Sequence, residues 1–282
     1  STNPDPVLIS RLSLLVHRAR LRITGARTPL WKHARTFFWE DLPAALYDSR
    51  WTVALAAGIF LLSAVVTGVY FGLDPTAREL LLPEAQQRSL AQRDFVSYYF
   101  QGEASGFAAQ VWTNNAWITV QAVVFGVTGF WPVVMLVQNG LNIGLSAGVM
   151  AAYDGLDTFF VFILPHGLLE ITAVLVGAGA GLRTFWAWVR PGPVPRLWAL
   201  SRAARALVTV AIGLVPVLLV SGVIEAFVTP SSLPPAVRIA IGAVAWLAFM
   251  VFMLGRGRQV RRAGVTGDLS EELAGDHVAT AG

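Results

Sequence analysis

GLDTFFVFILPHGLLEITAVLVGAGAGL, Gly155–Leu182, is the stretch on which the reading of this chain turns. A bilayer core of about 30 Å is crossed by roughly 20 apolar helical residues, and this run exceeds that length while carrying Pro165, His166 and Glu170 near its centre. An ionisable group at such depth costs at least about 2.5–3.5 kcal/mol, so these side chains are expected to face the protein interior. His166 and Glu170 stand four residues apart, on one face of a helix. Pro165 removes the usual partner of the Val161 carbonyl, and in lipid that group must be satisfied by a neighbour or water. The pair admits a proton relay, half of a metal site, or a substrate contact. It also admits a purely structural role, bonding across helices to fix their packing. One His and one Glu are too few for a metal site, and there is no HExxH, so no metal, cofactor or catalytic residue is expected.

The rest of the chain is built on the same scale. Of 282 residues, 55% are hydrophobic and 13% charged, with mean hydropathy +0.59, where soluble domains carry about 25% charge. Cysteine is absent, which removes disulfides and thiol chemistry. The net charge of +4 does not point to nucleic acid. Of the 21 Lys and Arg, all but Arg78, Arg88, Arg93 and Arg238 lie before Trp51, between Arg183 and Arg205, or beyond Leu254. That is the distribution of the positive-inside rule.

The expected architecture is all-α: a polytopic helical membrane protein with six transmembrane helices and both termini cytoplasmic. The spans are placed at 51–72, 111–128, 132–153, 155–182, 206–228 and 236–254. Residues 1–50 form a basic amphipathic lead-in, with Leu8, Leu12, Leu15 and Ala19 at helical spacing, and contain no apolar core with a small-residue cleavage site, so no cleavable signal is expected. Residues 73–110 form an outer segment ending in the aromatic stretch Phe95–Phe100. The Arg-rich loop 183–205 belongs inside, and 255–282 is a basic then flexible cytoplasmic tail. A turn at Gly129–Trp131 suits Pro132 in the first turn of a new helix, whereas one at Gln138–Gly140 leaves a helix too short to span.

The third span reads QNGLNIGLSAG, Gln138–Gly148. Gly140, Gly144 and Gly148 form a small-xxx-small stripe for close helix packing, within the chain or as the seam of a homodimer. Asn139, Asn142 and Ser146 lie on the adjoining face. By rise per residue, Asn142 and Glu170 share a level, and the two are expected to meet. Asn114 and Asn115 open the second span between Trp112 and Trp117, as a helix cap in an aromatic belt does. Glu225 lies about 5 Å inside the outer end of the fifth span. The candidate polar cluster is therefore His166, Glu170, Asn139, Asn142, Glu225, Asn114 and Asn115, with Gly140, Gly144, Gly148, Pro165 and Gly167 as packing positions.

Asn114–Asn115, the NG-x3-G run at Asn139, Gly140 and Gly144, Pro165-His166-Gly167-x-x-Glu170, and Ile224-Glu225-Ala226-Phe227-x-Thr229-Pro230 together resemble the stage II sporulation protein M family of bacterial integral membrane proteins. The likeness runs from about Phe37 to Leu254. It implies a helical membrane protein without known enzymatic activity. In endospore formers the namesake holds peptidoglycan-degrading partners at the septal membrane, but relatives occur in bacteria that make no endospores, so the process is not carried over. Twenty Arg against one Lys suit a high-GC genome such as an actinobacterial one. The function expected is a non-enzymatic scaffold or recruiter of envelope partners in the bacterial cytoplasmic membrane. The alternative is a transporter or channel for a lipid or small solute that uses the polar cluster. An intramembrane hydrolase comes last, for want of a nucleophile.

Overall fold

In the computed structural model, residues 30–100, 113, 115 and 117–268 are described, and among them the chain is helical without strands. Among the described residues five helices are long and apolar enough to cross a membrane: α1 (Arg50–Leu73), α3 (Phe130–Ala152), α4 (Leu156–Val189), α5 (Arg196–Val228) and α6 (Pro235–Arg262). Between α1 and α3 lies α2, helical over 117–124 and at residues 113 and 115. The amphipathic reading of residues 1–29 and the segment beyond 268 fall outside the described residues. Leu30–Thr36 is a short helix belonging to a separate unit, Ser1–Thr36.

The ends of these helices are set by local chemistry. α1 stops at Asp74, whose Oδ1 accepts from the Ala77 N–H at 3.1 Å and caps a short helix with Pro75 in its first turn. Arg78 turns back and donates to the Phe71 and Gly72 carbonyls at 2.6 and 3.0 Å, satisfying the orphaned end of α1. Buried Gln87 accepts from Arg78 Nε at 3.3 Å and from the Tyr153 hydroxyl at 3.4 Å, and donates to the Leu82 carbonyl, tying the outer segment to the end of α3. Gly129 turns the chain at φ 67°, with no room for a Cβ against the Phe185 ring. α3 then starts at Phe130 and runs unbroken through Gln138–Gly140, with Pro132 in its first turn.

α4 is the centre of the bundle. Its Leu169, Ala173, Val176 and Ala180 pack with Leu207, Val210, Leu214 and Leu218 of α5, with Phe249 and Met253 of α6, and with the short helix Leu42–Asp48. Its Leu175, Ala178 and Leu182 pack with Ala56 and Phe60 of α1, Ala122 of α2, and Met135 and Leu136 of α3. The outer faces keep their apolar side chains exposed, as on α1 at Leu55, Leu61, Leu62, Val65, Val66 and Val69, which suits contact with lipid.

The glycine stripe is a seam inside the chain. A Cβ at Gly140 would stand 2.7 Å from the Phe60 carbonyl, and one at Gly148 2.7 Å from that of Gly68. The partner face of α1 carries its own small pair, Gly68 and Gly72. α4 and α6 approach by the same means, since Gly242 meets the Pro165 carbonyl. Gly167 differs from the packing role expected of it: the side chains nearest to where its Cβ would stand are Ile163 and Ile171 of its own helix.

Two expected boundaries are corrected. The loop assigned to 183–205 is helical except for 190–195 around Pro191, Gly192, Pro193 and Pro195, and the tail from 255 remains helical to Arg262. Arginine appears in these helices before they end. Arg183 need not leave the helix, because Asp48 lies 3.3 Å from it; Arg261 reaches the same carboxylate at 2.7 Å. Beyond α6 the chain folds back, with Gly267 at φ 68° against Ala44 and Ala45 and Asp268 within 3.5 and 3.4 Å of Arg202 and Arg205.

Gly144→Ile should cost about 1–3 kcal/mol by overpacking, because its Cβ would stand 2.8 Å from Thr67 Cβ and 3.0 Å from Gly68 N. Gly58→Ala, with nothing within 4 Å, should be neutral or stabilising by up to about 1 kcal/mol. Thermal unfolding of the two variants in detergent checks this; equal melting points would refute the seam. At Asp268, burial pushes the carboxyl up, but hydrogen bonds from Thr266 and the main chain, together with Arg202 and Arg205, hold it below its ordinary value. Its contribution is therefore complete at neutral pH and lost as pH falls through the ordinary Asp value, about 3.9, and on below it. Asp268→Asn should remove about 1 kcal/mol at pH 7 and flatten that acid loss. Amide exchange of residues 257–268 measured against pH reads both effects, and an unchanged profile would refute the pairing.

Candidate functional site

The polar residues of α4 are met by the ends of α2 and α5. Glu170 Oε1 accepts from Asn115 Nδ2 at 2.5 Å, and Oε2 accepts from Ser221 Oγ at 3.3 Å. The same Ser221 hydroxyl lies 3.1 Å from the His166 carbonyl. His166 Nδ1 faces Thr229 Oγ1 at 3.3 Å, and Nε2 faces Glu225 Oε1 at 3.8 Å. One ligand atom from each of His166, Glu170 and Glu225 lies within 4.8 Å of the other two. His166 and Glu225 are 5% and 4% exposed, and Ser221 and Thr229 are fully enclosed.

Glu225 reaches this point because the last turn of α5, Ile224–Val228, is a π-helix, in which the Thr229 N–H bonds to the Ile224 carbonyl at 2.9 Å. Such a turn inserts one residue and re-aims the side chains it carries. The chain then leaves the helix at Thr229 while still buried, and a freed carbonyl there needs a donor. Arg238, one turn into α6 and 8% exposed, donates from Nη1 to the Thr229 carbonyl, and its guanidinium lies over the Phe162 ring at 5.3 Å. Aromatic side chains close the side toward the Phe95–Phe100 stretch: Tyr99, 7% exposed, lies 5.2 Å from Phe162 and 5.9 Å from the His166 ring, and Phe95 stacks on Phe159 at 5.6 Å.

Of the expected cluster, the structure brings together His166, Glu170, Glu225 and Asn115. Asn114 falls outside the described residues. Asn142 does not meet Glu170: it is exposed, and its carbonyl accepts from Ser146 of its own helix at 3.1 Å. Asn139 donates to the Met135 carbonyl at 2.8 Å, again within α3. The rise along a helix gives depth but not azimuth. Asn142 is two residues from both Gly140 and Gly144, hence about 200° around the helix from the stripe that faces α1. Ser221, Tyr99 and Phe162 were not expected, and a lone serine or aromatic in an apolar run gives no signal. Arg238 was legible as a charge at the start of the last span, and Thr229 as part of the motif after Glu225.

Chemically, the site is one imidazole and two carboxylates, with His166 and Glu225 buried and Glu170 half-buried, and the groups around them are hydroxyl and amide. His166 has Thr229 on its other nitrogen, Glu170 has Asn115 and Ser221, and Glu225 Oε2 is without a hydrogen-bond partner among the described residues. Such a set can hold a proton or a cation.

The family model described as "Stage II sporulation protein M" matches residues 55–230, which contain every one of these groups except Arg238. An uncharacterised protein of Methanocaldococcus jannaschii is 35% identical over 63 residues, covering 22% of this chain and 34% of that relative. The chain thus spans about a third of that relative's length. No solved structure matches. With the family model covering more than half of its length, this integral membrane protein belongs to the stage II sporulation protein M family.

Proposed function

We propose that the chain is a non-enzymatic scaffold of the bacterial cytoplasmic membrane that recruits cell-envelope partners, with six spans and both termini on the cytoplasmic side. The observation that carries the reading is that the polar side chains of α4 and α5 close on one another: His166 and Glu225 are 5% and 4% exposed, with Ser221 and Thr229 at 0%. A cluster enclosed in this way supports helix packing. The count of six is supported by α2, whose Thr119 lies under Gly177 of α4 and whose Ala122 carbonyl lies under Gly181. The sidedness is supported by the gathering of Arg183, Arg202, Arg205 and Arg261 at the end opposite the outer segment. Docking faces are then the outer segment 73–110 and the Arg-rich inner end.

A second reading, transport of a small solute or lipid, is favoured by one feature. Glu225 and Arg238 are buried in the bundle beside half-buried Glu170, and Glu225 Oε2 has no hydrogen-bond partner among the described residues. Intramembrane ionisable groups often line ion or substrate paths.

Purified full-length protein in liposomes should pass no more protons or small solutes than empty vesicles. In native membranes, in-cell crosslinking should capture cell-wall enzymes, and the yield should persist in Glu170→Gln protein that melts normally. Flux that disappears with Glu170→Gln would replace the scaffold with a transporter. Crosslinking that recovers no envelope protein would refute recruitment.

A further inference from the structure

The hydrogen-bond accounting at His166 leaves a gap. The Thr229 hydroxyl lies 3.3 Å from both the Ile224 carbonyl and His166 Nδ1; when it donates to the carbonyl, Oγ1 accepts from His166 Nδ1–H. In that tautomer Nε2 is a bare lone pair, and it faces Glu225 Oε1 at 3.8 Å. A Glu170 oxygen completes the triangle within 4.8 Å. One ligand atom from each of an imidazole and two carboxylates thus converges on a single point. Glu225 adds a second observation, since its Oε2 is buried without a hydrogen-bond partner among the described residues although the side chain is only 5% exposed. Buried acceptors without donors are costly, and a positive centre between them removes that cost.

We propose that His166, Glu170 and Glu225 bind a divalent first-row metal ion of the zinc or manganese class, which ties α4 to the π-helical end of α5. This goes beyond the scaffold reading and does not depend on it. Two carboxylates balance the charge of a divalent ion, and the imidazole favours a transition metal over magnesium or calcium. Ligand atoms around a zinc-like ion at about 2.0–2.2 Å stand roughly 3.3–3.6 Å apart, so the three atoms close in by no more than about 1.5 Å, within the reach of side-chain torsions. The outer layer is of the kind that orients metal ligands: Thr229 on the free nitrogen of His166, and Asn115 and Ser221 on Glu170. Arg238 stays engaged by the Thr229 carbonyl and the Phe162 ring. Three protein ligands leave at least one coordination position open.

The test uses full-length, tag-free protein in detergent, stripped with EDTA, dialysed, and titrated with Zn²⁺ and with Mn²⁺ by calorimetry, with elemental analysis of the bound ion. The expected result is one ion per chain for at least one of the two metals and a higher melting temperature when it is bound. His166→Gln and Glu225→Gln should each weaken affinity at least tenfold, and Thr229→Val by about 10–100-fold. His33→Ala should leave the stoichiometry at one. Failure of the wild-type protein to retain either metal while still melting cooperatively would overturn the proposal and leave the two carboxyls sharing a proton. So would binding unaffected by the His166 and Glu225 changes, or abolished by His33→Ala. If the site variants fail to fold, X-ray absorption of the zinc-loaded wild type decides: one imidazole among oxygen ligands supports the site, and a shell with no imidazole or two overturns it.

Discussion

Glu170 is an acid placed in the middle of the helix against which every other span packs, and the register of the bundle follows from what satisfies it. One oxygen is held by Asn115 of α2 and the other by Ser221 of α5, while Glu225 faces it from the π-helical turn. These partners come from two other helices, so meeting the needs of one carboxylate fixes how far α2 and α5 slide along α4. A hydrogen bond to a charged group contributes about 1.5–3 kcal/mol, and a buried charge whose partner is removed costs more. In lipid, apolar side chains alone discriminate poorly between neighbouring registers, because the tails are as apolar as leucine. The polar cluster supplies that discrimination.

The opposite device operates between α1 and α3. There the contact is between backbones, with Gly140, Gly144 and Gly148 against Gly68, Gly72 and the small side chains Ser63 and Thr67. Close approach gains dispersion contacts over a long seam, and each glycine is needed for its lack of volume. α4 and α6 combine both devices: Gly242 lets α6 reach the Pro165 carbonyl, and one turn further on Trp246 Nε1 donates to Thr172 Oγ1 at 3.0 Å. The proline that removes a helical hydrogen bond is thus also a point at which a neighbouring helix comes into backbone contact.

How much of this could be read in advance depends on the kind of information each feature needs. Helix existence and most boundaries are one-dimensional, and Pro132, Gly129 and the apolar runs declare them. The glycine stripe declared a packing face on α3, and the matching pair at Gly68 and Gly72 on α1 was equally open to view. Azimuth is different. Asn142 and Glu170 were matched by depth, yet Asn142 points away because the glycines two residues to either side claim the face toward α1. The extent of α4 was misjudged because hydropathy reports the edge of the bilayer, and Arg183 continues the helix once Asp48 accepts its charge. Ser221 was invisible, since its value lies wholly in what it touches 51 residues away at Glu170.

Glu225 shows how a turn can carry a site inward. Counted along α5 it lies about 5 Å from the end of its span, whereas His166 lies about 15 Å along α4 from Leu156. The two meet because the α5–α6 connection begins below the surface: Thr229 is wholly buried, its hydroxyl on His166 and its carbonyl on Arg238. Irregular backbone at that depth persists only where protein supplies its hydrogen bonds. Arg238 does so with a group that cannot lose its charge, and Phe162 covers the guanidinium face. The arginine therefore serves the turn, the turn presents Thr229 and Glu225, and these two orient and face His166. A substitution at Arg238 would act on the imidazole through the backbone without touching it, which makes the motif after Glu225 and the one around His166 two halves of a single structural unit.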